Sequence, residues 1–311
     1  MRHQVGSERR LGGGDMGPAP AADGSRDRPG RSNSQRSDGG RSVDAVSRSG
    51  KIAAPLGSRR GRMVDLGGLV EQAMESIEAW MADHPGAWVA LSGGKDSTVV
   101  AHLVRRVDPS TPLVFYDSGA EFPQTLRWME RAQEEWGGIV RIPAVPDAVS
   151  LFEQEGFLTG RPTGGKQRSS RSLHRVLIEE PEACARRMLG CNWNLLGLRA
   201  DESPGRSLAL ARGRGETVRH DRGGEFISGS FSPIWRWRAA HVHTYLTRNR
   251  VPVSSLYRDL ERLGVGWEHS RVSLMLDGNC LRRGRWALTY RLAPNQARAI
   301  EERLPLLRSL R

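Results

Sequence analysis

The chain has 311 residues, with 47 Lys/Arg against 35 Asp/Glu, a formal charge of +12 and three cysteines. That length holds one substantial α/β domain with an appendage rather than several large domains. No run of roughly 20 apolar residues could span a bilayer, no apolar signal core opens the chain, and three irregularly spaced cysteines are not a secreted disulfide framework; a soluble, cytoplasmic protein without a membrane partner is expected.

Residues 1–62 are dominated by Gly, Ser, Arg, Asp and Pro and cannot bury enough apolar surface to offset chain entropy, which predicts a disordered basic tail. Met63, a candidate translation start, opens a different text. Leu66, Leu69, Val70, Ala73, Met74, Ile77, Trp80 and Met81 recur at helical spacing up to His84-Pro85-Gly86. Strand and helix then alternate: strand 87–91, helix 97–107, strand 112–116, helix 123–136 and strand 138–142, which implies βαβ units and a parallel sheet. Residues 146–170 read as loop, 172–189 as a helix interrupted at Pro181, 193–198 as a buried strand and 216–228 as a hairpin around Asp221-Arg222-Gly223-Gly224. Past Pro233 the pattern turns helical over 239–249, 255–263 and 295–310. The expected division is a nucleotide-binding α/β domain over 63–231 and a smaller, mostly helical region over 232–311.

The charge is uneven along this division: residues 1–62 hold 13 basic and 6 acidic side chains, 63–231 hold 19 and 23, and 232–311 hold 15 and 6. A basic C-terminal region is compatible with a nucleic-acid partner through counterion release, although a charge run is more often a solvated face. Only Lys51, Lys95 and Lys166 are lysines in an Arg-rich chain, so the lysine kept inside a Gly-rich loop points to a need for a compact ammonium there.

That loop is Ser92-Gly93-Gly94-Lys95-Asp96-Ser97, between a strand and a helix. Gly93 and Gly94 let backbone N–H groups approach an anion, and Ser97 and Thr98 stand at a helix start where the dipole and unpaired amides favour phosphate. The spacing is not that of a Walker A loop. The alternative is a tight turn needing Gly for geometry alone. Lys95 is expected to stand solvated in the empty loop, so its loss should weaken binding and spare the fold.

The segment resembles the S-G-G-x-D-S loop of PP-loop ATP pyrophosphatases, and three further segments narrow the resemblance to the phosphoadenosine-phosphosulfate (PAPS) reductase family. Residues 112–128, PLVFYDSGAEFPQTLRW, are similar to its F-x-D-T-G-x-x-F-P-E-T; residues 194–206, NLLGLRADESPGR, to G-x-R-x-x-E-S-x-x-R; residues 231–257 to N-P-I-x-x-W-x-x-x-D-V-x-x-Y-L…P-x-x-x-L-Y. The resemblance implies the adenine nucleotide alpha-hydrolase-like fold and a small-molecule adenine nucleotide, ATP or a relative, held by Ser92, Gly93, Gly94, Ser97, Tyr116, Asp117, Ser118 and Gly119. Asp117 also reads as a cap of the next helix. Arg199 and Arg206 are placed to grip phosphate or sulfate with Glu202 ordering one of them. Trp237 and Tyr245 are expected to pack the C-terminal region on the core.

Three functions follow. The first is ATP cleavage between the α and β phosphates for adenylyl or sulfur transfer, with Lys95 and the amides holding pyrophosphate, Asp96 placing Mg²⁺ and Arg199 assisting. The second is PAPS or adenosine-phosphosulfate (APS) reduction. The third is a non-catalytic nucleotide-binding accessory protein acting near nucleic acid. Reductases of the family carry an E-C-G-L-H nucleophile; here only Cys280, in Asp277-Gly278-Asn279-Cys280-Leu281-Arg282-Arg283, lies in the C-terminal region. Iron–sulfur members carry cysteine pairs where this chain has residues 167–174 and 271–277. Cys184 and Cys191 have no C-x-x-C spacing, so no iron–sulfur cluster is expected.

Overall fold

The computed structural model describes residues 66–158, 171–270, 274–278, 280–281 and 284–311, and all of them fall in one unit, Arg60–Arg311. The tail over 1–62 lies outside the described residues, as do parts of the two stretches compared with cysteine pairs.

The helical apolar spacing builds α1 (Leu66–Asp83), which buries Leu66, Ala73, Ile77 and Trp80. The alternating text then gives β1 (Trp88–Ala90), α2 (Lys95–Val107), β2 (Leu113–Asp117), α3 (Pro123–Trp136) and β3 (Ile139–Pro143). The stretch expected as loop contains α4 (Ala148–Gln154), started by Asp147 accepting from the Ser150 N–H at 2.9 Å. Next come α5 (Arg171–His174), a π turn (Arg175–Glu179) and α6 (Glu180–Leu189), in unbroken succession. Pro181 does not interrupt them: it stands in the first turn of α6 after the wide π turn, where a proline's missing N–H is tolerated.

Beyond β4 (Trp193–Leu195), the motif segment, to which the sequence assigns no helix, runs into α7 (Pro204–Arg212), started by Ser203. β5 (Glu216–His220) and β6 (Phe226–Phe231) form the expected hairpin, with Asp221 Oδ1 accepting from the Gly223 and Glu225 N–H groups at 2.8 Å each. The C-terminal helices are α8 (Ala239–Arg248), α9 (Leu256–Arg262), α10 (Arg285–Leu292) and α11 (Pro294–Arg303); α10 was not expected.

The six strands lie in the order β3-β2-β1-β4-β6-β5, parallel except for the edge strand β5, so the α/β architecture of a parallel sheet flanked by helices is present. Side chains alternate between its faces. Val89, Leu113, Phe115 and Leu195 pack with α1, α2, α3 and α8, whereas Trp88, Val114 and Ile142 pack with α6. Ile234, Trp237, Val242, Tyr245, Leu246 and Val251 join the first of these clusters, so residues 232–251 share the sheet's core. A separate cluster gathers Leu256, Leu260, Trp286, Ile300 and Leu307 with Phe122, Val149 and Phe152. No helix among the described residues is long and apolar enough to cross a membrane.

Candidate functional site

The chain leaves β1 through α2 on one face of the sheet and enters β4 from α6 on the other, so the neighbouring strands β1 and β4 form a topological switch point. A crevice at the carboxyl ends of such strands is where open α/β sheets bind ligands. The turns after β1, β2, β4 and β6 all leave this edge, and they carry the four segments singled out in the sequence.

In the turn after β1, Gly93 has φ +73° and an added Cβ would stand 2.9 Å from Thr125 Cγ2, so glycine is required by both conformation and space. Ser97 Oγ accepts from the Ser92 N–H at 3.2 Å and donates to the Gly94 carbonyl at 3.0 Å, which folds the turn back onto the helix start. Thr98 Oγ1 donates to the same carbonyl at 2.9 Å. The N–H groups of Gly93, Asp96 and Ser97 have no acceptor among the described residues, and unpaired amides at the N-terminus of a helix are suited to an anion. Gly197 passes so close that a Cβ on it would lie 2.5 Å from Ser97 N. The segment after β4 therefore packs directly on the loop.

Lys95 is not solvated. Only 3% of it is exposed, its Nζ donates to the Ser270 carbonyl at 2.8 Å, and Asp96 Oδ2 stands 3.6 Å away. Its backbone N–H donates to Tyr257 Oη at 2.7 Å. Asp96 Oδ1 accepts from Arg199 Nε at 2.7 Å, and Arg199 Nη1 reaches Asp201 Oδ1 at 2.5 Å. Burial lowers the Lys95 pKa and raises that of Asp96, while their mutual attraction opposes both shifts. Glu202 accepts from the Arg199 backbone N–H at 3.3 Å and from Arg206 Nη1. The loop thus brings Lys95, Asp96, Arg199 and Glu202 into one linked ionic network, with Arg206 at its exposed rim. With one Asp96 oxygen on Arg199 and the other facing Lys95, that carboxylate does not fit Mg²⁺, which needs open anionic oxygens.

After β2, Asp117 does not cap α3. Its Oδ1 accepts from the Gly119 N–H at 2.9 Å and its Oδ2 from Arg141 Nε at 2.7 Å. Ser118 donates through N–H and Oγ to Glu121 Oε1 at 3.0 and 2.6 Å. Burial, first among the causes, raises the Glu121 pKa. Tyr116 is separated from this group: its ring packs edge-on to Trp88 at 6.2 Å on the α6 face, and its buried hydroxyl has no partner among the described residues.

Tyr257, Ser270, Gly197 and Glu121 are the residues that the sequence reading gave no role. Gly197 and Tyr257 were inside segments carrying the family resemblance, whereas Ser270 had no local signal. The three cysteines do not share one apolar cluster: Cys184 and Cys191 belong with α6 under the sheet and Cys280 with the C-terminal cluster. Trp237 and Tyr245 pack as expected, with ring centroids 5.6 Å apart.

Comparison with known proteins agrees with these segments. The family profile described as Phosphoadenosine phosphosulfate reductase domain matches residues 86–265. A phosphoadenosine 5'-phosphosulfate reductase of Alkalilimnicola ehrlichii is 29% identical over 189 residues, spanning 60% of this chain and 71% of that protein. An adenosine 5'-phosphosulfate reductase of Geobacillus sp. is 29% identical over 197 residues, spanning 63% and 77%. The crystal structure of a phosphoadenylyl-sulfate (PAPS) reductase from Candida auris, a phosphate complex, has a TM-score of 0.48 at 20% identity, covering 68% of this chain and 93% of that one.

Proposed function

Because the chain belongs to the phosphoadenosine phosphosulfate reductase family, we propose that it is a sulfonucleotide enzyme that binds adenosine 5'-phosphosulfate or its 3'-phosphorylated form at the Ser92–Ser97 loop. The observation that carries this reading is the set of unpaired N–H groups of Gly93, Asp96 and Ser97 at the start of α2. They offer donors to phosphoryl or sulfonyl oxygens in a partly dry crevice, where such hydrogen bonds are strongest. Ser92, Gly94, Asp117, Ser118 and Gly119 shape the two turns bordering the nucleotide. The Lys95–Asp96–Arg199–Glu202 network holds the loop rigid, and Arg206 at the rim is free to swing from Glu202 toward the sulfonate. Reduction then needs a thiolate that attacks the sulfur and breaks its bond to the phosphate oxygen, releasing AMP from adenosine 5'-phosphosulfate or adenosine 3',5'-bisphosphate from its 3'-phosphorylated form. A second thiol releases sulfite and closes a disulfide.

A second reading, α–β cleavage of ATP with release of pyrophosphate, is favoured by the setting of Cys280. It is the only thiol in the C-terminal region and stands in no E-C-G-L-H segment. Incubation with APS, PAPS and ATP, each with a dithiol reductant, separates the readings. Sulfite from either sulfonucleotide supports the first, and pyrophosphate from ATP without sulfite replaces it with the second.

A further inference from the structure

The first amide of α2 is one that an anion at this helix start would meet, yet it is already engaged. Lys95 N–H donates to Tyr257 Oη at 2.7 Å. Tyr257 comes from the first turn of α9, 162 residues away in sequence. It is only 4% exposed, with its ring 4.8 Å from that of Trp267 and the Lys95 ammonium 5.6 Å from its centroid. Its hydroxyl is aimed into the loop, 3.7 Å from where a Cβ on Gly94 would stand.

A phenol is both acceptor and donor. Here the oxygen accepts from Lys95, while no group among the described residues accepts its proton. Burial raises its pKa and keeps that proton in place. A buried donor without an acceptor is costly, and an ordered water or a ligand oxygen would complete it; what distinguishes Tyr257 from the buried Tyr116 hydroxyl is that it is aimed into the loop.

We propose that Tyr257 is a ligand-contacting residue of the phosphate loop, its hydroxyl accepting from Lys95 N–H and donating to an oxygen of the bound anion. It adds to the backbone donors of Gly93, Asp96 and Ser97 one that belongs to the C-terminal part of the chain. With its oxygen already accepting from Lys95 N–H, the hydroxyl meets the anion as a donor and favours an unprotonated phosphoryl or sulfonyl oxygen. The identity of the nucleotide rests on the function proposed above; the contact with an anion does not.

The test uses the full chain and its Tyr257→Phe variant, titrated calorimetrically with inorganic pyrophosphate, APS and adenosine. Pyrophosphate and APS should bind the variant about tenfold or more weakly, and adenosine equally well, since only the anion loses a charge-assisted hydrogen bond. Unchanged anion affinity would reduce Tyr257 to a structural cap, and tighter binding would make it a blocker of the Lys95 amide; either overturns the proposal. Should the variant unfold, 3-fluorotyrosine at position 257 keeps the shape with a more strongly donating hydroxyl. It should tighten pyrophosphate binding, and equal or weaker binding would overturn the proposal. If pyrophosphate binds the wild type and depends on Tyr257 while no adenine nucleotide binds, the sulfonucleotide reading falls and the anion contact stands.

Discussion

Arg199 Nε donates to Asp96 Oδ1 at 2.7 Å, joining the turn after β4 to the start of α2 across the switch point. Both side chains are largely buried, at 4% and 15% exposure. Removing one partner strands the other charge, which costs about 3–5 kcal/mol in buried pairs. Arg199→Ala should therefore lose roughly that much stability in urea unfolding, as well as nucleotide affinity. Adding Asp96→Asn to an Arg199→Gln variant should be less harmful than the two single losses combined, because the residues are directly coupled. Strictly additive losses would show that the pair is incidental.

Lys95→Ala should weaken both binding and folding. Its ammonium donates to the Ser270 carbonyl at 2.8 Å, and losing that donor leaves a buried acceptor unsatisfied, at about 1–3 kcal/mol. Denaturant midpoints of the variant measured without nucleotide check this. An unchanged midpoint would return Lys95 to a purely phosphate-facing role.

The legible part of the site was local and the illegible part was not. Two glycines, a lysine and two hydroxyls in a row are legible as a candidate phosphate loop because such loops bind through local backbone amides. The burial of Lys95 depends on Tyr257 and Ser270, 162 and 175 residues further on, and no periodicity reports such contacts. The first three strands and their helices were readable from apolar spacing. α7 was not, since Pro204-Gly205-Arg206 looks like a turn, yet proline suits a helix's first turn and Ser203 accepts from the Arg206 N–H at 3.3 Å. Tyr116 is a different case: the motif places it at the end of β2, and strand alternation turns its side chain toward Trp88.

Gly197→Ala should damage the loop although it changes no ligand group. The new methyl would stand 2.5 Å from Ser97 N and 2.6 Å from Asp96 C, both backbone atoms that cannot rotate away. Overpacking of this kind costs about 1–3 kcal/mol and would shift the loop amides to which anion binding is assigned under the proposed function. Gly205→Ala, in α7 with nothing within 4 Å of its added Cβ, is the control and should be neutral or stabilising. Titration of both variants with pyrophosphate checks the contrast, and equal affinity would show that the loop does not depend on this contact.

Glu121 gives a pH signature. Burial raises its carboxyl pKa above the ordinary 4.5, against the opposing hydrogen bonds from Ser118. The folded state then binds the proton more tightly than the unfolded one. The stability this contributes is fully present below the ordinary carboxyl pKa and is lost as pH rises through the raised folded value. Glu121→Gln keeps an oxygen for the Ser118 N–H and hydroxyl, which donate at 3.0 and 2.6 Å, but cannot ionise. The variant and wild type should therefore have similar thermal midpoints near pH 4, with the wild type falling progressively below the variant toward pH 7. Melting curves at half-unit pH intervals measure that difference. Midpoints that stay a constant distance apart across the range would mean that Glu121 ionises in the folded protein as easily as in the unfolded chain.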